Sequence, residues 1–238
     1  MNFSSVFART AALIGQEALH TLQNKTVAVL GLGGVGGMCA EMVARSGVGT
    51  VILMDHDTVS LSNLNRQNFA LTSTLGMSKT DAAVLRLKDA APFCRLVPVE
   101  SFYSAETRDV LFDLHPDFVI DAIDTVSAKL DLLAACRERR IPSIMCLGTG
   151  NRLDPSAFRI GTIEETAGCG CGLARVMRRE CKKRGFSDVP VVYSTEMPRV
   201  VVTDTEHGRH SPASISFCPP VAGCLLASFA VQTLCKTE

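Results

Sequence analysis

Short, continuous apolar runs alternate along the chain with longer segments whose apolar residues recur at helical spacing. The apolar runs lie at 27–30, 51–54, 95–99, 118–124 and 143–147, and they resemble strands buried on both faces of a sheet. The helical segments are 5–23, 38–46, 79–91, 105–114 and 127–139. Because alternating strands and helices form right-handed crossovers, the pattern predicts an α/β, Rossmann-like fold. We expect a largely parallel twisted sheet with helices on both faces and a C-terminal extension.

A glycine-rich loop follows the first predicted strand. Residues 31–37 read GLGGVGG and lead directly into a helical segment. Glycine allows the tight turn and lets backbone N–H groups approach a phosphate at the helix N-terminus. Asp55 directly follows the second strand and can accept hydrogen bonds from ribose hydroxyls. We therefore expect a nucleotide site, rather than a structural glycine turn, formed by Gly31, Gly33, Gly34, Gly36 and Asp55.

Polar residues further along the chain indicate which nucleotide is bound. They are Asp57, Asn63, Arg66, Gln67, Lys79 and Asp124. A dehydrogenase that uses NAD needs none of them, whereas an enzyme that adenylates a carboxylate must neutralise a triphosphate and hold Mg²⁺. We expect ATP as the nucleotide, with Arg66 and Lys79 neutralising its phosphates. Asp124 would hold Mg²⁺, while Asn63 and Gln67 would support the phosphate-binding groups.

Composition is that of an ordinary globular protein. The chain has 238 residues, of which 47% are hydrophobic and 20% are charged, and these are enough for a substantial core. Because 24 basic residues balance 24 acidic ones, any RNA contact needs a local basic patch. No apolar run approaches the ~20 residues of a membrane span, and the N-terminus does not resemble a secretory signal. We expect a cytoplasmic protein.

The ten cysteines do not have the spacing of a structural zinc site. No two of them form a CxxC pair, which such sites usually contain. Most lie in apolar surroundings, so we expect small core residues in a reducing compartment. Cys169 and Cys171 are close in sequence, and a structural role is favoured for Cys171 while a functional role stays open.

Five separated motifs occur in the order found in a known superfamily. They are GxGGVG, a DxD at a strand end, NLNRQ, the lysine at 79 and DAID, and they span about residues 7–150. In this set the chain resembles the ubiquitin-activating-enzyme-like, or ThiF-type, adenylating enzymes. The resemblance implies a single domain, with 1–150 as the nucleotide-binding core and 151–238 as an extension on the substrate side.

Four later blocks narrow this resemblance. Residues 148–155, 173–180, 192–196 and 214–223 are similar to the tRNA threonylcarbamoyladenosine dehydratase branch, although Cys171-Gly172-Leu173 departs from the Cys-Pro-Leu of many relatives. The resemblance implies an ATP-dependent enzyme that activates the threonylcarbamoyl carboxylate on adenosine 37 of tRNA and cyclises it with loss of water. It also implies a homodimer and a possible sulfur-relay partner. The alternatives are activation of a ubiquitin-like sulfur-carrier protein, whose activators commonly carry two CxxC pairs, and a non-enzymatic nucleotide-binding module.

Two further sets of cations are candidates for the site. Phe7-Ala8-Arg9 resembles the superfamily's aromatic-x-Arg motif, which implies that Arg9 reaches the ATP phosphates of a partner subunit; an exposed surface arginine is the alternative. Arg175, Arg178, Arg179 and Lys182 recur at helical spacing and predict one basic helix face. Such a face fits tRNA phosphates, although a solvated face is the common reason for a charge run.

Overall fold

The computed structural model describes residues 2–200, 205–206, 209–210 and 212–236. Its centre is a seven-stranded sheet in the order β3-β2-β1-β4-β5-β7-β6. The strands are β1 (Thr26–Leu30), β2 (Thr50–Asp55), β3 (Arg95–Glu100), β4 (Phe118–Asp121), β5 (Ser143–Cys146), β6 (Phe158–Thr162) and β7 (Pro190–Ser194). All pairings in this sheet are parallel except the one between β6 and β7. A short ladder of β8 (Thr205–Glu206) and β9 (Arg209–His210) lies outside it.

Helices cover both faces of the sheet. They are α1 (Phe3–Val6), α2 (Ala8–Ile14), α3 (Gln16–Gln23), α4 (Gly36–Arg45), α5 (Lys79–Ala90), α6 (Arg108–Phe112), α7 (Val126–Glu138), α8 (Gly172–Lys183) and α9 (Cys218–Cys235). Successive residues of β1 point to opposite faces, so Val27 and Val29 pack with α4, α5 and α9 while Ala28 and Leu30 pack with α6 and α7. The predicted α/β class, with a largely parallel sheet between two helix layers, is confirmed.

Three boundaries differ from the prediction for local reasons. The segment 5–23 is divided among α1, α2 and α3, because the chain breaks at Phe7 between the first two and at Gly15, with φ +89°, between the last two. The helix predicted over 105–114 is only α6, because Thr107 Oγ1 accepts the Ser104 N–H at 2.9 Å and holds a turn before it. The strand predicted to reach Asp124 ends at Asp121. There Ala122 N–H donates to Leu30 at 2.9 Å, and the chain then leaves the sheet toward α7.

Residues beyond 150 extend the same sheet. β7 pairs with β5, β6 pairs with β7, and α9 packs against α4 in the largest hydrophobic cluster. α9 is long and apolar enough to cross a membrane by length and composition, and it is the one helix of the described residues with these properties. Its buried Ala222, Leu226 and Ala230 nevertheless belong to the protein core. Residues on both sides of the boundary predicted near residue 150 therefore share one core, and the different roles of the two parts stay a prediction.

A buried ion pair joins the end of β4 to α7. Lys129 is 0% exposed, and its Nζ lies 2.9 Å from Asp121 Oδ1 and 2.8 Å from the carbonyl oxygen of Cys146. Burial raises the pKa of Asp121 above its ordinary value, although the charge and the hydrogen bond of Lys129 act in the opposite direction. The pair links α7 to β4 and β5, and thereby fixes the start of the loop that carries Asp124.

Replacing Lys129 by methionine is expected to lower the free energy of unfolding by about 3–5 kcal/mol, because it leaves a buried carboxylate without its cation. Urea unfolding measures the change. The control is Lys25→Met, whose pair with Asp117 at 3.0 Å is about one-third exposed; this variant should lose no more than about 1 kcal/mol. Equal, small losses in both variants would contradict the expectation.

Candidate active site

The candidate site lies where the strand order reverses. The chain goes from β1 to β2 on one side of the sheet and later enters β4 on the other side of β1. Ligands of open parallel sheets bind at such a point, beyond the carboxyl ends of the strands. The loop after β1 carries the glycines, β2 ends at Asp55, and the loop after β4 carries Asp124. Topology therefore brings three separate sequence motifs to one edge.

Two of the glycines shape the loop, and a third faces open space. Gly31 has φ +85°, and a Cβ there would lie 2.7 Å from the Ala122 carbonyl oxygen. A Cβ at Gly36 would lie 1.7 Å from the Gly31 carbonyl oxygen, so the first turn of α4 requires glycine. At Gly33 the nearest atom would be Gln67 Nε2 at 3.8 Å. The Gly33 backbone is therefore open to a ligand beside Gln67. Gly34 packs more tightly, beneath Arg66 and Pro219.

Asp55 joins the glycine loop to the end of β2. Its Oδ2 accepts the N–H of Leu32 at 2.6 Å, and its Oδ1 accepts the N–H of Asp57 at 2.9 Å. The residue is 7% exposed. Each carboxylate oxygen has a second lone pair, so Asp55 can still accept a hydrogen bond from a ribose hydroxyl. Its position agrees with the predicted role, and the two backbone bonds explain how that position is held.

Lys79 is held at the site by Asp57. Its Nζ lies 2.7 Å from Asp57 Oδ2 and 3.9 Å from Asp55 Oδ2. The lysine side chain is 9% exposed, whereas the Asp57 side chain is 51% exposed. Burial acts to raise the pKa of Asp57, but the hydrogen bond and charge of Lys79 outweigh it and lower this pKa. Asp57 therefore holds the ammonium group in place, and an anionic ligand could take over that contact.

Arg66 lies over the glycine loop with its charge uncompensated. Its Nη1 donates to the Ser62 carbonyl oxygen at 2.7 Å and to Asn65 Oδ1 at 2.8 Å. No ion pair joins it to any residue that the structure describes. Asn63 and Gln67 are buried beneath it, and Asn63 Oδ1 accepts the Ser60 N–H at 3.2 Å. The contact seen for Asn63 therefore holds the loop that carries Arg66.

Asp124 is exposed in the loop between β4 and α7. Its contact within the chain is a 3.4 Å hydrogen bond from Thr125 Oγ1, and no cation among the described residues pairs with it. A second acidic group, Asp55-His56-Asp57, brings three potential ligand atoms within 4.8 Å of one another. Asp55 and Asp57 are already engaged by backbone N–H groups and by Lys79. Of Asp55, Asp57 and Asp124, therefore, only Asp124 has a carboxylate that is not already bound to a backbone N–H group or to a lysine of the described residues.

Arg9 is not brought to this edge of the sheet. The neighbouring Phe7 is buried, and it lies 3.4 Å from the position of a Cβ on Gly47, just before β2 begins. This is the amino edge of the parallel sheet, opposite the glycine loop. Arg9 itself is exposed, and no ion pair to another described residue is found. A contact between Arg9 and the phosphates would therefore have to come from a second copy of the chain.

A model of the ThiF family matches residues 7–238 of the chain. The tRNA threonylcarbamoyladenosine dehydratase of Bacillus subtilis is 40% identical over 97% of this chain and 94% of that protein. The chain belongs to the ThiF family, in its tRNA threonylcarbamoyladenosine dehydratase branch. It is therefore an enzyme of the adenylating type.

Solved structures and a more distant relative agree with this placement in the ThiF family. Escherichia coli tRNA N6-threonylcarbamoyladenosine dehydratase, TcdA, in complex with ATP has a TM-score of 0.86 and 28% identity, covering 98% of this chain and 94% of that one. E. coli molybdopterin-synthase adenylyltransferase is 35% identical, but only over 55% of this chain and 51% of that protein. The relative that would support the sulfur-carrier alternative is thus similar over a smaller part of the chain than the dehydratases are.

The four cations that were predicted to share one face of a helix lie on the same side of α8. Arg175, Arg178, Arg179 and Lys182 line one cavity of about 730 Å³, while Met177 on the opposite side of α8 is buried. Arg178 donates to Thr166 Oγ1 at 3.0 Å, and Arg179 lies 3.1 Å from Glu180. Arg175 and Lys182 are exposed and form no ion pair within the described part of the chain. They are the two cations most available to a ligand.

The cysteines behave as core residues of the ThiF fold. All ten are free thiols, and six of them are buried. Burial raises the pKa of Cys39 and raises that of Cys146 to about 12, so these thiols stay protonated at neutral pH. Cys171 Sγ accepts the Ala174 N–H at 3.4 Å and caps the first turn of α8. This contact agrees with the structural role favoured for Cys171.

Sequence reasoning missed one charged residue of this region. Arg152 lies in the loop after β5, in the run Gly150-Asn151-Arg152, and its side chain is buried. The signal present in the sequence was an arginine shortly after a predicted strand. Its surroundings come from residues near 169, 213 and 218, and the apolar pattern does not bring these segments together.

Proposed function

We propose that this protein is an ATP-dependent dehydratase that cyclises N6-threonylcarbamoyladenosine at position 37 of tRNA by way of an acyl adenylate. The observation that carries the proposal is the near full-length identity of 40% with the Bacillus subtilis dehydratase. The glycine loop, Asp55, Lys79 and Arg66 at one sheet edge support it, because together they form a cradle for a nucleotide triphosphate.

In the first step the carboxylate is activated. The backbone of residues 31–36 and Asp55 bind the nucleotide, while Arg66 and Lys79 contact the phosphates, with Lys79 passing from Asp57 to the ligand. A substrate carboxylate oxygen then forms a bond to the α-phosphorus. The bond between this phosphorus and the oxygen bridging to the β-phosphate breaks, and pyrophosphate leaves with the electron pair. Fixed positive charge around the phosphates is the main catalytic contribution of these residues.

Asp124 is the residue that fits a Mg²⁺ ligand. Mg²⁺ binds through one or two carboxylates together with substrate phosphates, and Asp124 offers an exposed, unpaired carboxylate beside the glycine loop. When bound there, the ion would supply positive charge that neutralises the departing pyrophosphate. Asp124 would hold the ion through its carboxylate.

In the second step the modification closes on itself. The amide nitrogen or the carbamoyl oxygen of the same group attacks the activated carbonyl carbon, and AMP leaves with the carboxyl oxygen. The net change in the nucleoside is the loss of one water. Because both reacting groups are already joined, effective molarity supplies much of the rate and no nucleophilic side chain is needed.

We further propose a cytoplasmic homodimer in which Arg9 completes the partner's site. The position of Arg9 at the opposite sheet edge supports an action between subunits. A sulfur-relay protein as an additional partner rests on the family resemblance alone.

The direct test is to incubate the purified protein with ATP, Mg²⁺ and tRNA that carries threonylcarbamoyladenosine. Mass spectrometry of the digested tRNA should show a nucleoside lighter by one water, and calorimetry should show binding of ATP but not of NADH. Product formation from a sulfur-carrier C-terminus instead of the tRNA would support the alternative function.

We propose that the face of α8 formed by Arg175, Arg178, Arg179 and Lys182 binds tRNA phosphates. The double variant Arg175→Glu/Lys182→Glu is expected to weaken tRNA binding without changing ATP affinity. Binding to phosphates releases counterions, so the slope of log affinity against log salt should flatten by roughly one unit for each phosphate that is no longer bound. Filter binding over a salt series measures both quantities.

The matched control reverses two exposed charges elsewhere, in Lys88→Glu/Arg95→Glu. It has the same change in net charge and should alter tRNA affinity and slope much less. Equal effects in the two double variants would mean that net charge, rather than the α8 face, governs binding. No change in either would place the tRNA site elsewhere.

A further inference from the structure

A buried arginine without a counter-ion lies in the loop after β5. Arg152 is 4% exposed, and its Nη2 donates to the Cys169 carbonyl oxygen at 3.2 Å. Its Nε and Nη1 are buried and have no hydrogen-bond partner among the residues that the structure describes. No carboxylate of the described residues lies within ion-pair distance of it. Because an arginine keeps its charge in a protein, a full positive charge is buried there against one neutral group.

Two acidic side chains of the adjoining segments, Asp154 and Glu196, are engaged elsewhere. Glu196 accepts the N–H of Leu153 at 3.0 Å and that of Asp154 at 2.9 Å. Asp154 in turn accepts the N–H of Ser156 at 2.8 Å. A buried charge without a partner destabilises the folded state. A bound anion would compensate for this loss by pairing with the charge. The missing partner of Arg152 is therefore expected to be a ligand.

Arg152 borders the candidate active site through the segment before α9. The N–H of Asn151, next to Arg152, donates to the Ala213 carbonyl oxygen at 2.8 Å. On the other side, Asn65, next to Arg66, donates to the Ser214 carbonyl oxygen at 3.3 Å. Ala213 and Ser214 thus connect the loop of Arg152 to the loop of Arg66.

The first turn of α9 makes a second connection between them. Burial, Glu196 and Asp154 raise the pKa of Cys218, whereas the charge of Arg152 acts to lower it, which agrees with a guanidinium close to this residue. The next residue, Pro219, lies 3.0 Å from the position of a Cβ on Gly34. The glycine loop therefore contacts the first turn of α9, next to the residue whose pKa the charge of Arg152 affects.

We propose that Arg152 binds the carboxylate of the threonylcarbamoyl group and holds it for attack on the α-phosphate of ATP. The inference rests on the proposed function. Arg66 and Lys79 serve the phosphate side of the reaction, but the attacking carboxylate is also an anion and is repelled by the triphosphate. A guanidinium offers charged hydrogen bonds to a carboxylate, offsets this repulsion and fixes the attacking oxygen.

The carbonyl that accepts the hydrogen bond from Arg152 belongs to a turn between two glycines. Cys169, whose carbonyl oxygen contacts Arg152, lies between Gly168 with φ +83° and Gly170 with φ +70°. Both glycines have left-handed backbone that other residues adopt at a cost. A ligand that takes over this hydrogen bond would displace the carbonyl of a residue that lies outside the regular helices and strands.

The test compares tRNA with and without the threonylcarbamoyl group at adenosine 37. In Arg152→Gln, the preference for modified over unmodified tRNA is expected to fall about 10- to 100-fold, the range for loss of a charged hydrogen bond. Affinity for unmodified tRNA and for ATP should not change. Arg152→Lys should recover part of the preference. Arg159→Gln, which removes an exposed arginine from β6, is the control and should behave as wild type.

Thermal unfolding separates this role from a structural one. Arg152→Gln and Arg152→Met should unfold at the wild-type temperature or above it, because each removes an unpaired buried charge. A clear decrease in both variants would overturn the proposal, and so would an unchanged preference for modified tRNA. A loss of ATP affinity would instead assign the guanidinium to a phosphate. If wild type itself neither prefers nor dehydrates modified tRNA, the proposed function fails, and not merely the role of Arg152.

Discussion

Replacing Asp124 by asparagine is expected to reduce turnover by at least about 1,000-fold, equivalent to roughly 4 kcal/mol of transition-state stabilisation. A neutral amide is a much poorer ligand for Mg²⁺ than a carboxylate. Asp124 is exposed and makes one weak hydrogen bond to the residues that the structure describes, so the fold should not change. Single-turnover formation of the dehydrated nucleoside measures the loss, and thermal unfolding verifies the fold.

The control for this variant is Asp89→Asn, which changes an exposed carboxylate on α5. It should retain wild-type turnover. Raising the Mg²⁺ concentration should partly restore Asp124→Asn if the residue binds the ion. Wild-type turnover of Asp124→Asn would make Asp124 structural, and Asp57 would become the better candidate for the metal.

Mixing two inactive variants, Arg9→Ala and Lys79→Ala, is expected to restore activity. In a two-fold dimer, half of the randomly exchanged dimers would be mixed, and each would have one site with both cations, so about a quarter of the sites would be complete. This expectation follows from the position of Arg9 at the sheet edge opposite Lys79. Activity after subunit exchange, measured at several mixing ratios, tests it.

The matched control mixes Lys79→Ala with Asp124→Asn. Both residues belong to the site of one chain, so no mixed dimer contains a complete site and no activity should return. Recovery in the first mixture alone would assign Arg9 to the partner's site. If exchange occurs and neither mixture recovers, Arg9 does not act between subunits, and if Arg9→Ala alone retains wild-type activity, Arg9 is a surface residue.

The sequence predicted the candidate site best where the local backbone conformation allows only one type of residue. Gly31 needs its positive φ and Gly36 needs its missing Cβ, and both requirements appear as glycines in a strand–loop–helix unit. The strands around them are buried on both faces, so their apolar runs predicted the α/β sheet. Asp55 could be placed for the same reason, because it directly follows one of these runs.

The remaining features depend on contacts between distant segments. The apolar pattern did not give the antiparallel pairing of β6 with β7, because strand direction depends on the path of the chain between them. The ion pair between Lys79 and Asp57 joins residues from two loops, and a charge pattern alone does not specify such a pair. The burial of Arg152 requires residues near 169, 213 and 218, and the sequence alone does not bring these together.

The place of α9 in the chain has a consequence for biosynthesis. This helix is the last one of the described residues, yet Ala222, Leu226 and Ala230 lie in the same core as β1 and α4. During translation, the nucleotide-binding strands leave the ribosome long before the helix that covers them. The nascent chain therefore exposes the apolar side of α4 until about residue 235 has been made, and during that interval it is a natural client for chaperones.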